Sequence, residues 1–237
     1  YIYGYAFVGG IAGGSGTTNE YGDYGYDDTA TYILECYNTG SVIFEDYSLP
    51  EAAIVYLPMK FGGIAGGSSG VISECYNTGT VGTWWYPTYV DWEYIWAVGG
   101  IAGSTSGTIE YSYNTGDISG FEHVSGIVGY ARDAEIVHNY NVGEITGEYN
   151  YDSNSIFGNM SDTVFEGNYY RASMLRTTSE VGSAGISTPD YDGVYPVYLE
   201  EMRNPLTYVY AEEVADLELD LISWDFEEIW AMNLYDN

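Results

Sequence analysis

Positive charge is nearly missing from this chain. Lys60, Arg132, Arg171, Arg176 and Arg203 are its basic residues, 5 against 35 Asp and Glu, for a formal net charge of -30. Such a surface repels phosphate, so nucleic acid and anionic membranes are excluded as partners. It also repels other copies of itself, unless high ionic strength, divalent cations, acidic surroundings or a cationic partner screen it. Scarce lysine beside abundant Asp and Glu is a feature of salt-adapted proteins; 28 tyrosines are not. No run of 18 apolar residues is present, so no transmembrane helix is expected. A signal peptide is missing as well. The chain opens at Tyr1, just before a repeat phrase, which reads as a processed mature form or an excised segment. Histidine is limited to His123 and His138, with no HExxH, no GxSxG and no Cys-His pairing. Carboxylates abound, but no spacing selects a glycosidase pair among them. The chain is therefore not expected to be an enzyme.

What is present is repetition. VGGIAGG at Val8 to Gly14 recurs as FGGIAGG from Phe61, VGGIAGS from Val98 and VSGIVGY from Val124, and fades to SNSIFGN from Ser153. A second phrase follows each copy: LECYNTGSV from Leu34, SECYNTGTV from Ser73, YSYNTGDI from Tyr111, HNYNVGEI from His138 and EGNYYRASM from Glu166. The steps between Tyr37, Tyr76, Tyr113, Tyr140 and Tyr169 are 39, 37, 27 and 29, so the minimal unit is about 27 residues. Longer units carry insertions at 15–31, 43–60 and 82–97. Short strands stacked in a coil tolerate such insertions at their turns, whereas helical repeats do not. The expected fold is all-β, a β-solenoid of about five repeats.

Aligned copies give vertical columns. Ile33, Ile72, Ile109, Ile136 and Phe165 form one apolar column, and Val42, Val81, Ile118, Ile145 and Met174 another. Most are β-branched, as strands favour. Gly40, Gly79, Gly116 and Gly143 follow Asn-Thr or Asn-Val and read as turn residues with positive φ, with Ala172 in the last copy. Asn38, Asn77, Asn114 and Asn141 are placed to hydrogen-bond along the axis as an amide ladder. The paired glycines of the first phrase are not a nucleotide loop, since no Walker Lys and no helix follow. They allow tight bends instead.

The phrases GGIAGG and ECYNTGTV resemble the GLUG-type repeat of bacterial and archaeal cell-surface and secreted proteins, some of them associated with immunoglobulin A peptidases. The resemblance covers residues 8 to about 170. It implies a β-solenoid that serves as a non-catalytic module of an extracellular chain. LEEM at Leu199 to Met202 and SWDFEEIWAMN at Ser223 to Asn233 are similar to the segment that closes such arrays. The expected organisation is a solenoid over 1–174 and a capping segment over 175–237. The last copy lacks NTG, as suits a terminal repeat.

Three groups are candidates for chemistry or contact. Cys36 and Cys75 share one column in adjacent copies, continued by Ser112, Asn139 and Asn168, so they are either a vertical disulfide or two packed thiols. Neither has the His or second Cys that a zinc site needs. Three positions separate Ile33 from Cys36, so they face opposite ways unless a bend intervenes. Calcium is the candidate cation. Glu148, Asn150, Asp152 and Asn154 alternate as oxygen ligands, and Asp23, Asp27 and Asp28 cluster in the first insertion, although solvated acidic loops give the same pattern. Trp84, Trp85, Tyr86, Tyr89, Trp92 and Trp96 crowd the third insertion. They either bury themselves on the stack or offer a surface to another subunit or a glycan. Asn159-Met160-Ser161 is a lone glycosylation sequon. These features point to an extracellular structural or adhesive protein that assembles with copies of itself or with another cell-surface protein. The alternative is a carbohydrate-binding accessory module of a secreted hydrolase or peptidase.

Overall fold

The computed structural model describes residues 6–15, 17–18, 24–25, 31–44, 59–83, 96–147, 153–171, 175–177 and 193–197. These residues are all-β, with no helix among them. Their strands form five parallel sheets and one antiparallel pair, Thr17–Thr18 with Tyr24–Gly25. Every repeat copy contributes one strand to each of the five sheets, in the same order. In the third copy these are Ala97–Gly99, Ala102–Thr105, Thr108–Glu110, Tyr113–Asn114 and Ile118–Gly120. Each copy is thus one layer, and sheet order follows copy order.

Register confirms the columns. Ile33, Ile72, Ile109, Ile136 and Phe165 are Cα partners in turn. Val42, Val81, Ile118 and Ile145 are likewise, but Ile145 pairs with Leu175 and not with Met174. The last copy has a longer fourth strand, Asn168–Arg171, in place of the two-residue Tyr-Asn strand of the other copies. The register advances by one residue as a result. A further strand, Val194–Val197, pairs with Asn168–Arg171 and gives the fourth sheet its sixth member. The stack also extends into the flanks of the expected insertions: Met59 and Lys60 pair with Ala6 and Phe7, and Val42–Phe44 is a strand.

The bend that lets Ile33 and Cys36 both turn inward is visible in the backbone. Between them Glu35 has φ 51°, and Glu74, Tyr111 and His138 repeat it at 54°, 47° and 54°. A left-handed residue breaks the strand alternation and makes the corner between the third and fourth sheets. In the last copy this corner is Gly167 at φ 58°. L-residues bear a penalty of about 1–2 kcal/mol in this conformation, partly offset by glycine's larger unfolded-state entropy of about 0.5–1 kcal/mol. Glu74→Gly is therefore expected to raise stability by about 0.5 kcal/mol in urea denaturation, since the Glu74 side chain is exposed.

The NTG glycines do not have positive φ, contrary to the turn expected there. They are needed for space. A Cβ on Gly79 would overlap the carbonyl oxygen of Gly40, one on Gly116 that of Gly79, and one on Gly143 that of Gly116. Gly40 has no described layer before it, and a Cβ there meets nothing nearer than Asn38 Oδ1 at 3.6 Å.

Two apolar clusters fill the interior. One runs along the second and third sheets and contains Ile64, Ile72, Ile101, Ile109, Ile127, Ile136 and Ile156, all 0% exposed. The other lines the first and fifth sheets, with Phe61, Val81, Val98, Ile118, Val124 and Ile145. At about 25 cal/mol per Å² of apolar surface, each buried isoleucine contributes about 2–3 kcal/mol. The asparagine column reaches between these clusters. Cβ atoms on Gly10, Gly63, Gly100 and Gly126, from the first phrase, would strike the side chains of Asn38, Asn77, Asn114 and Asn141. The two repeated phrases meet at this contact, which is why both recur together.

Candidate functional site

Three side-chain ladders and an apolar first described layer are the distinctive features of the stack. The innermost ladder is amide. Asn38 Nδ2 donates to Asn77 Oδ1, Asn77 to Asn114 and Asn114 to Asn141, each at 2.8 Å. The same nitrogens donate to the carbonyls of Gly40, Gly79 and Gly116 at 2.6, 2.7 and 2.8 Å. Asn77, Asn114 and Asn141 are fully buried. Burial without these bonds would be costly, and with them the ladder locks the register of the layers.

A second ladder occupies the cysteine column, where the sequence offered only a disulfide or packed thiols. The amide of Cys75 donates to Ser112 Oγ at 3.1 Å, that of Ser112 to Asn139 Oδ1 at 2.9 Å and that of Asn139 to Asn168 Oδ1 at 3.1 Å. Asn168 passes the chain on to the Gly193 carbonyl. Cys36 and Cys75 begin this column as free thiols. The column itself was legible in the sequence, but the change of residue type along it, from Cys through Ser to Asn, hid the hydrogen bonds that join its members.

The third ladder is aromatic and faces outward. Tyr37, Tyr76, Tyr113 and Tyr140 stack with ring centroids 5.1, 4.9 and 4.9 Å apart and interplanar angles of 7°, 5° and 1°. Beside it Tyr111 stacks on His138 at 5.2 Å. Burial first, and the neighbouring Tyr76 second, raise the pKa of Tyr113, so its phenol stays protonated. Rings stacked this way spend their faces on one another. Faces spent in this way do not suit stacking on sugars.

The first described layer exposes what later layers bury. Ile11 is 48% exposed, whereas Ile64, Ile101, Ile127 and Ile156 are at 0%. Val8 is 39% exposed against 1% or less for Phe61, Val98 and Val124. Tyr32, Leu34, Tyr37 and Ile43 add to this apolar face. The other end is partly covered, because Val194–Val197 lies on the fourth sheet with Pro196 within it, and a proline blunts a strand edge.

The residues expected to act divide as follows. Trp96 is 2% exposed and packs with Met59, Phe61 and Val98, so it belongs to the core and not to a displayed surface. It lies at the foot of the insertion, where the chain has already rejoined the stack. Trp84, Trp85, Tyr86, Tyr89 and Trp92 lie outside the described residues, as do Glu148, Asn150, Asp152, Asp23, Asp27 and Asp28. Asn154 lies in the strand Ser153–Asn154 of the first sheet. Among the described residues no three His, Cys, Asp or Glu gather as a cation site. The single lysine, Lys60, is 4% exposed, with its ammonium 5.3 Å from the Phe7 ring, so it does little to offset the acidic exterior. The chain matches no family model, no curated protein and no solved structure.

Proposed function

We propose that this protein is an extracellular structural subunit: a β-solenoid of GLUG-like repeats, capped after residue 174, that assembles with copies of itself through its open end. The observation that carries this reading is the contrast between Ile11 at 48% exposure and its buried equivalents one layer in. A parallel edge with no partner among the described residues, rimmed by apolar side chains, templates the addition of another strand layer. Asn38 adds specificity. Its Oδ1 accepts from the Gly40 amide at 3.2 Å, and an incoming amide can add a second bond there, as Asn141 Oδ1 accepts from both Gly143 and Asn114. Repulsion at a net charge of -30 must be screened for copies to meet, and calcium held by the acidic loops is the counter-ion we favour. The reading involves no catalysis, no nucleic acid and no membrane insertion.

Electron microscopy with and without a chelator tests this. Ordered fibres are expected in millimolar calcium, shortened or lost on chelation. Gly40→Ala gives the sharper result. An incoming layer would press a carbonyl onto that Cβ, as Gly40 presses on Gly79. The variant is therefore expected to fold normally and fail to assemble. Isolated rods from the unaltered chain at high concentration, high salt and millimolar calcium would overturn the proposal.

A further inference from the structure

The two thiols that begin the second ladder stand where the stack is most easily opened. The first layer is held on one described side only, and terminal layers fray first. In later layers the same column is secured by hydroxyl and amide acceptors, from Ser112 to Asn168. In the first two it holds sulfur, a weak acceptor. The column nonetheless brings these sulfurs together. Cys36 and Cys75 directly precede Tyr37 and Tyr76, which are register partners. The Tyr76 amide donates to the Cys36 carbonyl at 3.0 Å, which holds the two cysteine backbones one layer apart. Cys75 Sγ is also 3.5 Å from the Ile33 carbonyl of the first layer, so it leans toward that layer. Cys36 is half-buried and Cys75 fully buried.

We propose that Cys36 and Cys75 are a redox pair, which a small-molecule disulfide converts into a covalent staple between the first and second layers. The steps are two exchanges. The Cys36 thiolate attacks the reagent disulfide, forming a mixed disulfide and releasing one reagent thiolate. The Cys75 thiolate then attacks the Cys36 sulfur, forming the Cys36–Cys75 bond and releasing the second thiolate. The two cysteine protons pass through solvent to the released thiolates. The two cysteines are oxidised, and the reagent disulfide is reduced to two thiols.

Exposure sets the order, since only Cys36 meets the reagent. Burial pushes the Cys75 thiol up to about 11 from its ordinary 9.0. Its folded value lies above its unfolded one, so its neutral form stabilises the fold below pH 9.0, and that contribution is lost as pH rises toward 11. The second exchange consequently accelerates over the same window, as the thiolate fraction grows.

The test uses the whole folded chain and oxidised glutathione at about pH 8, where thiolates begin to form. The expected product is monomeric, lighter by two hydrogens and free of titratable thiol. A protease digest should yield one peptide joining the segments around Cys36 and Cys75. Its thermal midpoint should rise by several degrees and fall back with reductant, because the bond closes a long loop. Cys75→Ser should stop at the glutathione adduct on Cys36, and Cys36→Ser should leave Cys75 unreacted until the chain is denatured. A lasting glutathione adduct on the native chain would overturn the proposal. So would dimers linked through Cys36, or two thiols that stay free until denaturant is added.

Discussion

Alanine at Gly116 is expected to cost about 3 kcal/mol or more, while alanine at Gly40 costs almost nothing, although both occupy the same place in the same motif. A Cβ on Gly116 overlaps the carbonyl oxygen of Gly79. Backbone at the centre of a five-layer stack has no direction in which to retreat, because the amide and tyrosine ladders fix the spacing on either side. At Gly40 the nearest atom is 3.6 Å away, an ordinary contact. Urea denaturation of both variants, followed by circular dichroism, measures the difference. If Gly40→Ala were equally destabilised, the requirement would be conformational and not steric, and the account of close layer stacking would fail. The same experiment bears on assembly, since the proposed docking of another layer converts Gly40 into an interior position.

Asn114→Ala is expected to be nearly as damaging, at about 3–5 kcal/mol, for a different reason. The side chain accepts from Asn77 and donates to both Asn141 and the Gly116 carbonyl. Each bond is worth about 1 kcal/mol, and the groups orphaned in the dry interior add a desolvation penalty. The cavity left between the two apolar clusters adds to the loss. Asn38→Ala removes the half-buried end of the ladder, and should cost about 1–2 kcal/mol. Hydrogen exchange distinguishes the two. Asn114→Ala should expose amides in the layers on both sides of it, including those of Ile64 and Ile127, whereas Asn38→Ala should loosen only the first layer.

Much of this architecture was legible in the chain itself. The interval between tyrosines marked each layer, and the isoleucine, valine and asparagine columns identified which side chains meet their equivalents, because a stack in register repeats its neighbours. The asparagine ladder was legible for the same reason: an amide repeated at one position is both donor and acceptor to its own copy. The resemblance to GLUG-type repeats led to the same all-β expectation through a different route.

Other features depended on how the layers lie on one another. A glycine after Asn-Thr looks locally like a turn residue, but its reason is a carbonyl in the layer before it, which no local reading contains. The left-handed corner fell instead on Glu35, Glu74, Tyr111 and His138, residues of differing chemistry united by position alone. The division of the interior by the Asn–Gly contact, the burial of Trp96 and the one-residue shift that pairs Leu175 with Ile145 likewise arise from packing. The sequence by itself determined which residues recur and so which side chains share a column. Only the tertiary structure decided why each is required, because strands spaced about 4.8 Å apart impose steric limits between residues dozens of positions apart in the chain.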